Sequence, residues 1–262
     1  MLSFTYDQLA AWLGAFLYPL ARLLGMFASA PVFSNRSVPV RVRLALGLGI
    51  SIAIVPALPP MPPIDPGSYM GLLVLLWQML IGIAIGFMMR LVFAAVDMAG
   101  SLVGMQMGLS FAIFFSPTAG GQTAVLSEFL GLVATLLFLS INGHLLMVDA
   151  VVRSFEWLPI STAPVAAEGW AFIARYAVTI FALGLLLSLP MLTALLVTNI
   201  ALGILTRAAP QLNLFAIGFP ISLAMGILVL MLSMNYLGPV MVSFFERGFG
   251  AIDAMLMALG RV

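Results

Sequence analysis

Apolar residues along this chain gather into six long runs, separated by short polar or proline-rich connectors. The first run, Leu9 to Phe33, holds Pro19 and Arg22. The second, Leu44 to Leu58, is only just long enough to cross a hydrocarbon core of about 30 Å. The third, Tyr69 to Met89, is uncharged and continues through Arg90 to Asp97. The fourth, Thr123 to Val152, carries Glu128, Asn142, His144 and Asp149. The fifth has no charge from Tyr176 to Thr206 and holds Pro190, and the sixth runs from Leu214 to Leu237 with Pro220 inside it. Continuous apolar stretches of this length predict membrane-crossing helices. The tail, Pro239 to Val262, predicts an amphipathic helix. Phe244, Phe245, Phe249, Ile252 and Leu256 share one side, with Glu246, Arg247 and Asp253 mostly on the other.

The stretch between the third and fourth runs, GSLVGMQMGLSFAIFFSPTAGGQ (100–122), breaks this pattern. It carries no charge, yet glycines at 100, 104, 108, 120 and 121 and a proline at 117 make it a poor uninterrupted helix. Such a segment is costly to leave in water and awkward in lipid, which makes it a candidate for something that opens and closes. Met105 and Met107 fit a deformable seal, because a thioether chain fills irregular gaps. The plainer reading of them is ordinary packing.

Composition narrows the class. Apolar residues make up 63% of the chain and charged residues 7%, against about 45–50% and about 25% in soluble domains. The chain is an integral membrane or membrane-complex protein. It has no cysteine, and all ten basic residues are arginine. Disulfides, thiol chemistry and lysine Schiff bases are thereby excluded. A net charge of +1 gives no sign of nucleic acid binding. The N-terminus lacks a basic region ahead of its apolar stretch and carries Asp7, so insertion through the first run is expected rather than a cleaved signal. Arg36, Arg41, Arg43, Arg90 and Arg207 fall in the first, third and fifth connectors. The positive-inside rule then puts those connectors in the cytoplasm and both termini outside.

Few residues suggest chemistry. Arg90 and Asp97 are two helical turns apart, either an ion relay in a transporter or two helix-end charges with separate partners. His144 is the only histidine. It cannot build a histidine-rich metal site, no nucleophile elbow accompanies it, and Asn142-Gly143-His144 reads as a capping turn. The pattern G-x-x-x-G at 82–86, 100–104 and 104–108 permits close approach of helix backbones.

Several stretches together resemble the FliR/SctT family of type III secretion export-gate proteins. SAPVFSNRSVPVRVRLALGLG (29–49), LIGIAIGF (80–87), VGMQMGLSFAIF (103–114), LLFLSINGHLLMV (136–148) and NIALGILTRAAPQLNLFAIGFPI (199–221) follow the family in order, almost end to end. The A-P-Q-L-N and N-G-H forms favour the flagellar branch. The resemblance implies an all-α chain of about six long, Pro/Gly-broken hydrophobic helices forming hairpins, with an apolar central loop and a C-terminal amphipathic helix. It implies one export-gate domain over 1–262, with N-terminal hairpins (1–99), a plug-like loop (100–122), and C-terminal hairpins and tail (123–262).

The same resemblance implies a non-enzymatic role without cofactors, in the bacterial inner membrane at the flagellar basal body. The expected partners are several copies each of FliP and FliQ, together with FlhB, FlhA and unfolded flagellar export substrates. Much of such an assembly is held above the bilayer plane, so the six runs would be right and the topology drawn from arginines wrong. The expected plug comprises Met105, Gln106, Met107, Gly108, Leu109, Phe111, Phe114, Phe115 and Pro117. Ser116 stands where the family pattern leads us to expect an acidic residue. Expected assembly motifs are Asn142, Gly143, His144, Pro210, Gln211, Asn213, Gly218 and Pro220. The competing reading is a secondary transporter for a small solute, using Arg90, Asp97, Glu128 and Asp149.

Overall fold

In the computed structural model, residues 6–35, 37–59, 62, 64–109, 125–163, 165–209 and 214–260 are described. They form helices, a single 3-10 turn and connectors. In chain order the helices are α1 (Tyr6–Ser29), α2 (Val40–Ile54), α3 (Tyr69–Gln106), α4 (Val125–Ser140), α5 (Gly143–Trp157), α6 (Ala167–Tyr176), α7 (Thr179–Ala208) and α8 (Leu214–Leu259). The all-α expectation therefore holds for the described residues. Five stretches are long and apolar enough to cross a membrane, or six if α4 and α5 count as one bent span.

The helices differ from the six runs in three places. The fourth run is two helices, broken at the Asn142 turn. The sixth run and the amphipathic tail are one helix of 46 residues. Residues 100–106, placed by the sequence reading in the 100–122 stretch, complete α3. Pro19, Pro190, Pro220 and Pro239 all lie inside helices rather than at their ends. Each removes one backbone hydrogen bond. Where neighbouring atoms cover the freed carbonyl, an apolar helix tolerates that loss.

The chain divides into two compact units. The first comprises Met1–Leu91, Asn142–Ala177 and Glu246–Val262, and the second Val92–Ile141 and Val178–Phe245. In the first, α1 crosses α3 on glycines. A Cβ at Gly25 would strike the Met79 carbonyl, one at Gly82 the Arg22 carbonyl, and one at Gly86 the Ser29 hydroxyl and the Ala30 amide. The 82–86 glycine pair thus permits the contact that its spacing suggests. The Ser29 hydroxyl donates to the Ile83 carbonyl at 2.9 Å across the same crossing. The C-terminal turns of α8 close this unit. Ile252, Met255, Leu256 and Leu259 are buried, and the Ala166 amide donates to the Leu259 carbonyl at 3.1 Å. Arg153 on α5 contacts Asp149 at 2.8 Å and Asp253 at 3.4 Å. These groups are partly exposed, so they orient the helices more than they stabilise them.

The second unit packs around Phe93, Phe138 and Phe245, whose ring centroids lie 5.3–5.6 Å apart in edge-to-face and tilted pairs. Gly100 on α3 meets the backbone of Ser127 on α4. The Ser127 hydroxyl donates to the Asp97 carbonyl at 2.9 Å and lies 2.9 Å from the Ser101 hydroxyl. Gly184 on α7 lets that helix approach the Ala95 carbonyl.

Gly82→Ala is expected to destabilise the protein by about 2 kcal/mol, because its added methyl group meets backbone that cannot yield. Gly203→Ala is the control, since nothing lies within 4 Å of that position; it is expected to be neutral or slightly stabilising. Thermal unfolding in detergent measures both. An unchanged midpoint for Gly82→Ala would contradict the close crossing.

Candidate functional site

Two features stand out from the apolar background. One is the C-terminal end of α3, the last described turn before residue 110. The other is a polar cluster inside the first unit.

The α3 end is a Schellman motif. The Met107 amide donates to the Val103 carbonyl at 2.9 Å, Gly108 to Met105 at 3.0 Å, and Leu109 to Gly104 at 3.0 Å. The last two are the paired bonds that close a helix around a left-handed residue. Gly108 is that residue, at φ 81°. A side chain there would be strained, so glycine serves as a helix stop. Just before it, Met107 is buried and Met105 is 57% exposed. A Cβ at Gly226 of α8 would lie 2.5–2.7 Å from the Met107 side chain, so Met107 occupies the space that this glycine leaves. Gln106 and Leu109 are half-buried. Among the expected plug residues that are described, Met105 is the exposed one, while Met107 is packed into the last turn of the helix end. Phe111, Phe114, Phe115, Pro117 and Ser116 lie outside the described residues.

The N-G-H turn is the other left-handed point among the described residues, with Asn142 at φ 57°. Asparagine tolerates that conformation better than most side chains. The Asn142 carbonyl accepts the Leu145 and Leu146 amides at 2.9 and 3.1 Å, starting α5. Its side chain makes no capping bond. Gly143 is buried in the first turn. The His144 ring is half-buried, and its Nδ1 has no partner among the described residues. In α8, Gly218 is buried and Pro220 is exposed. Pro210, Gln211 and Asn213 lie outside the described residues.

The polar cluster centres on Arg22, in the middle of the first apolar helix and fully buried. Its Nε and Nη2 donate to Gln78 Oε1 on α3 at 2.8 and 2.5 Å. Nη1 donates to the Ser154 hydroxyl on α5 at 2.8 Å, and Nη2 to the Leu158 carbonyl just beyond α5 at 2.9 Å. The guanidinium carbon sits 3.8 Å from the centre of the Phe155 ring. No carboxylate is among these partners. The charge is held by oriented dipoles and a ring face, worth about 1.5–3 kcal/mol per charged hydrogen bond and about 2 kcal/mol for a desolvated ring contact. Planar bidentate donation is a property of arginine that lysine lacks. Reading the runs by hydropathy passes over Arg22. The signal was there all the same, since an ionisable residue in an apolar helix marks a special site by default.

Arg90 and Asp97 are both exposed, and no ion pair joins them among the described residues. Within the same residues no three histidine or acidic side chains gather at metal-binding separation.

An apolar, helical chain with several membrane-length helices and a buried arginine held by uncharged partners has the character of a membrane protein. Comparison with known proteins gives the particular family. A family model described as "Bacterial export proteins, family 1" matches residues 13–248, and the chain belongs to that family. It is 41% identical over 260 residues to the flagellar biosynthetic protein FliR of Pectobacterium carotovorum, spanning 99% of each chain. It is 40% identical over 259 residues to the FliR of Escherichia coli K12, again spanning 99% of each. The FliR of Bacillus subtilis is 28% identical over 249 residues, 94% of this chain and 96% of that one.

Replacing Gln78 by Leu strands the buried guanidinium, and replacing Arg22 by Met strands the Gln78 and Leu158 oxygens. Each single change is expected to cost on the order of 3 kcal/mol. The double change Arg22→Met, Gln78→Leu is expected to cost at least about 1 kcal/mol less than the sum, because neither partner is left alone. Denaturant unfolding of the four proteins in detergent measures this. Simple additivity would contradict a coupled cluster.

Proposed function

We propose that this chain is a non-enzymatic subunit of the flagellar type III protein export gate, assembling with FliP and FliQ into the channel for unfolded flagellar subunits. FlhB and FlhA act beside it. The carrying observation is the near-full-length similarity to FliR proteins. The surface of the chain supports the same reading. Tyr69, Met231, Leu232, Leu136 and Val178 are among many large apolar side chains left bare, with Leu232 72% exposed. A bare apolar surface on this scale needs lipid or other subunits to cover it.

In this reading the central loop is the plug of the channel, and its action is steric. The Schellman stop at Gly108 fixes where the helix ends. Met107, packed at Gly226, holds the base. Met105, Leu109, Phe111, Phe114 and Phe115 provide an apolar obstruction, with a methionine flexible enough to seal around a moving chain. The connector carrying Pro210, Gln211 and Asn213 and the N-G-H turn shape the helix ends that partners grip. The site of action is the inner membrane at the flagellar base.

Deleting residues 106–114 in cells that make the partner subunits is expected to let small solutes leak across the membrane, read as growth inhibition or dye entry. Unchanged permeability with an intact complex would remove the plug role. Pro210→Ala and Asn213→Ala are expected to reduce assembly or secretion, measured by swimming motility and by recovery of the complex in mild detergent. Normal motility with intact complexes would remove the assembly role of this connector.

A further inference from the structure

Gln78 uses only one branch of its amide. The oxygen accepts both bonds from Arg22. A guanidinium has no acceptor, so the amide cannot be turned the other way. Its Nε2 has no hydrogen-bond partner among the described residues, although the residue is only 2% exposed. Nor is that nitrogen among the sealed, unpartnered polar atoms of those residues. It therefore opens onto space, and Gln78 lines a half-open cavity of about 200 Å³ within the first unit.

The cavity wall is mostly apolar. Trp77 and Ile81 of α3, Trp157 at the end of α5, and Leu259 of α8 contribute to it. Pro159, Ser161 and Ala163, all exposed, stand among the lining residues. No acidic or basic side chain lines it, and Arg22 is spent behind Gln78. A charged ligand has no counter-charge there. The chemistry favours a neutral, apolar group bearing one hydrogen-bond acceptor. Ligand pockets usually hold about 300–1,000 Å³, so this one takes one end of a molecule while the rest extends through the open side.

We propose that this cavity binds the ester end of a membrane lipid acyl chain. The ester carbonyl accepts from Gln78 Nε2, and the first methylenes lie against Trp77 and Trp157. The two lining indoles suit that contact, because each offers an apolar ring face beside a polar N–H. No bond is made or broken. The buried arginine acts here as a positioning residue, because it holds the Gln78 amide with its donor outward. The proposal is independent of the export reading.

The test uses the full chain in detergent, with Trp12→Phe and Trp170→Phe leaving the two cavity tryptophans as reporters. The probes are the methyl ester of a fatty acid carrying a nitroxide near its carbonyl end, a phosphatidylcholine with the same labelled chain, and a labelled alkane without a carbonyl. The expected result is saturable quenching by the ester, the phospholipid or both. The pattern distinguishes a simple acyl ester from an intact lipid as the source. Gln78→Glu keeps an acceptor for Arg22 but removes the donor, and is expected to weaken ester binding about tenfold. The alkane is expected to be indifferent to that change. Ala163→Phe, at an exposed lining position, is expected to fill the cavity and abolish saturation, and it stands alone if Gln78→Glu does not fold. Non-saturable quenching by both carbonyl probes would overturn the proposal. So would equal ester affinity in folded wild-type and Gln78→Glu proteins, or saturable binding that survives Ala163→Phe.

Discussion

A guanidinium cannot rest in an apolar interior without its hydrogen bonds, and Arg22 sits there completely buried. Meeting that need draws Gln78 from α3, Ser154 from α5 and the Leu158 carbonyl to one point. The glycines at 25, 82 and 86 let α1 and α3 come close enough for it. Arginine and glycines thus impose the same geometry from two directions. One supplies directional bonds, and the others remove the atoms that would hold the backbones apart. In lipid, where apolar burial does not drive helices together, close packing and polar bonds are the forces that remain.

Two of the helix ends are set by backbone conformation instead. Gly108 and Asn142 are the two left-handed non-helical points among the described residues. One ends α3 before the central loop, and the other turns the chain between α4 and α5. At both, a single residue in the left-handed region sets the helix boundary. Met107, seated against Gly226, extends that fixity to the base of the loop. The plug proposed for the residues that follow would need such a base, because an obstruction that slid along its helix would not return to the same place.

Much of the fold was legible in the apolar runs, because membrane-length helices announce themselves by length and polarity alone. The N-G-H turn was legible through the backbone tolerance of Asn142. Prolines misled about helix ends: Pro239 separates the sixth run from the tail in sequence, yet α8 continues through it. Glycines misled in another way. Gly100 reads as a hinge, but it is a contact point for Ser127, and only the position of the neighbouring helix reveals which. Arg22 was visible as a charge in an apolar run, but its partners lie 56–136 residues away, and no local pattern joins them. The plug role proposed for the residues beyond Leu109 rests on the family resemblance of their sequence rather than on geometry.

If the proposed plug is real, the end of α3 lies on the path of exported protein. The chain contains no cysteine, so Met105→Cys provides a unique cross-linking point, and Met257→Cys, exposed near the end of α8, provides a control on the same chain. An export substrate stalled by a folded domain at its trailing end is the second partner. A disulfide or maleimide cross-link from position 105 to the stalled substrate is expected, absent without the stall and absent from position 257. An assembled, export-competent complex that gives no cross-link at 105 while the substrate is demonstrably stalled would contradict it.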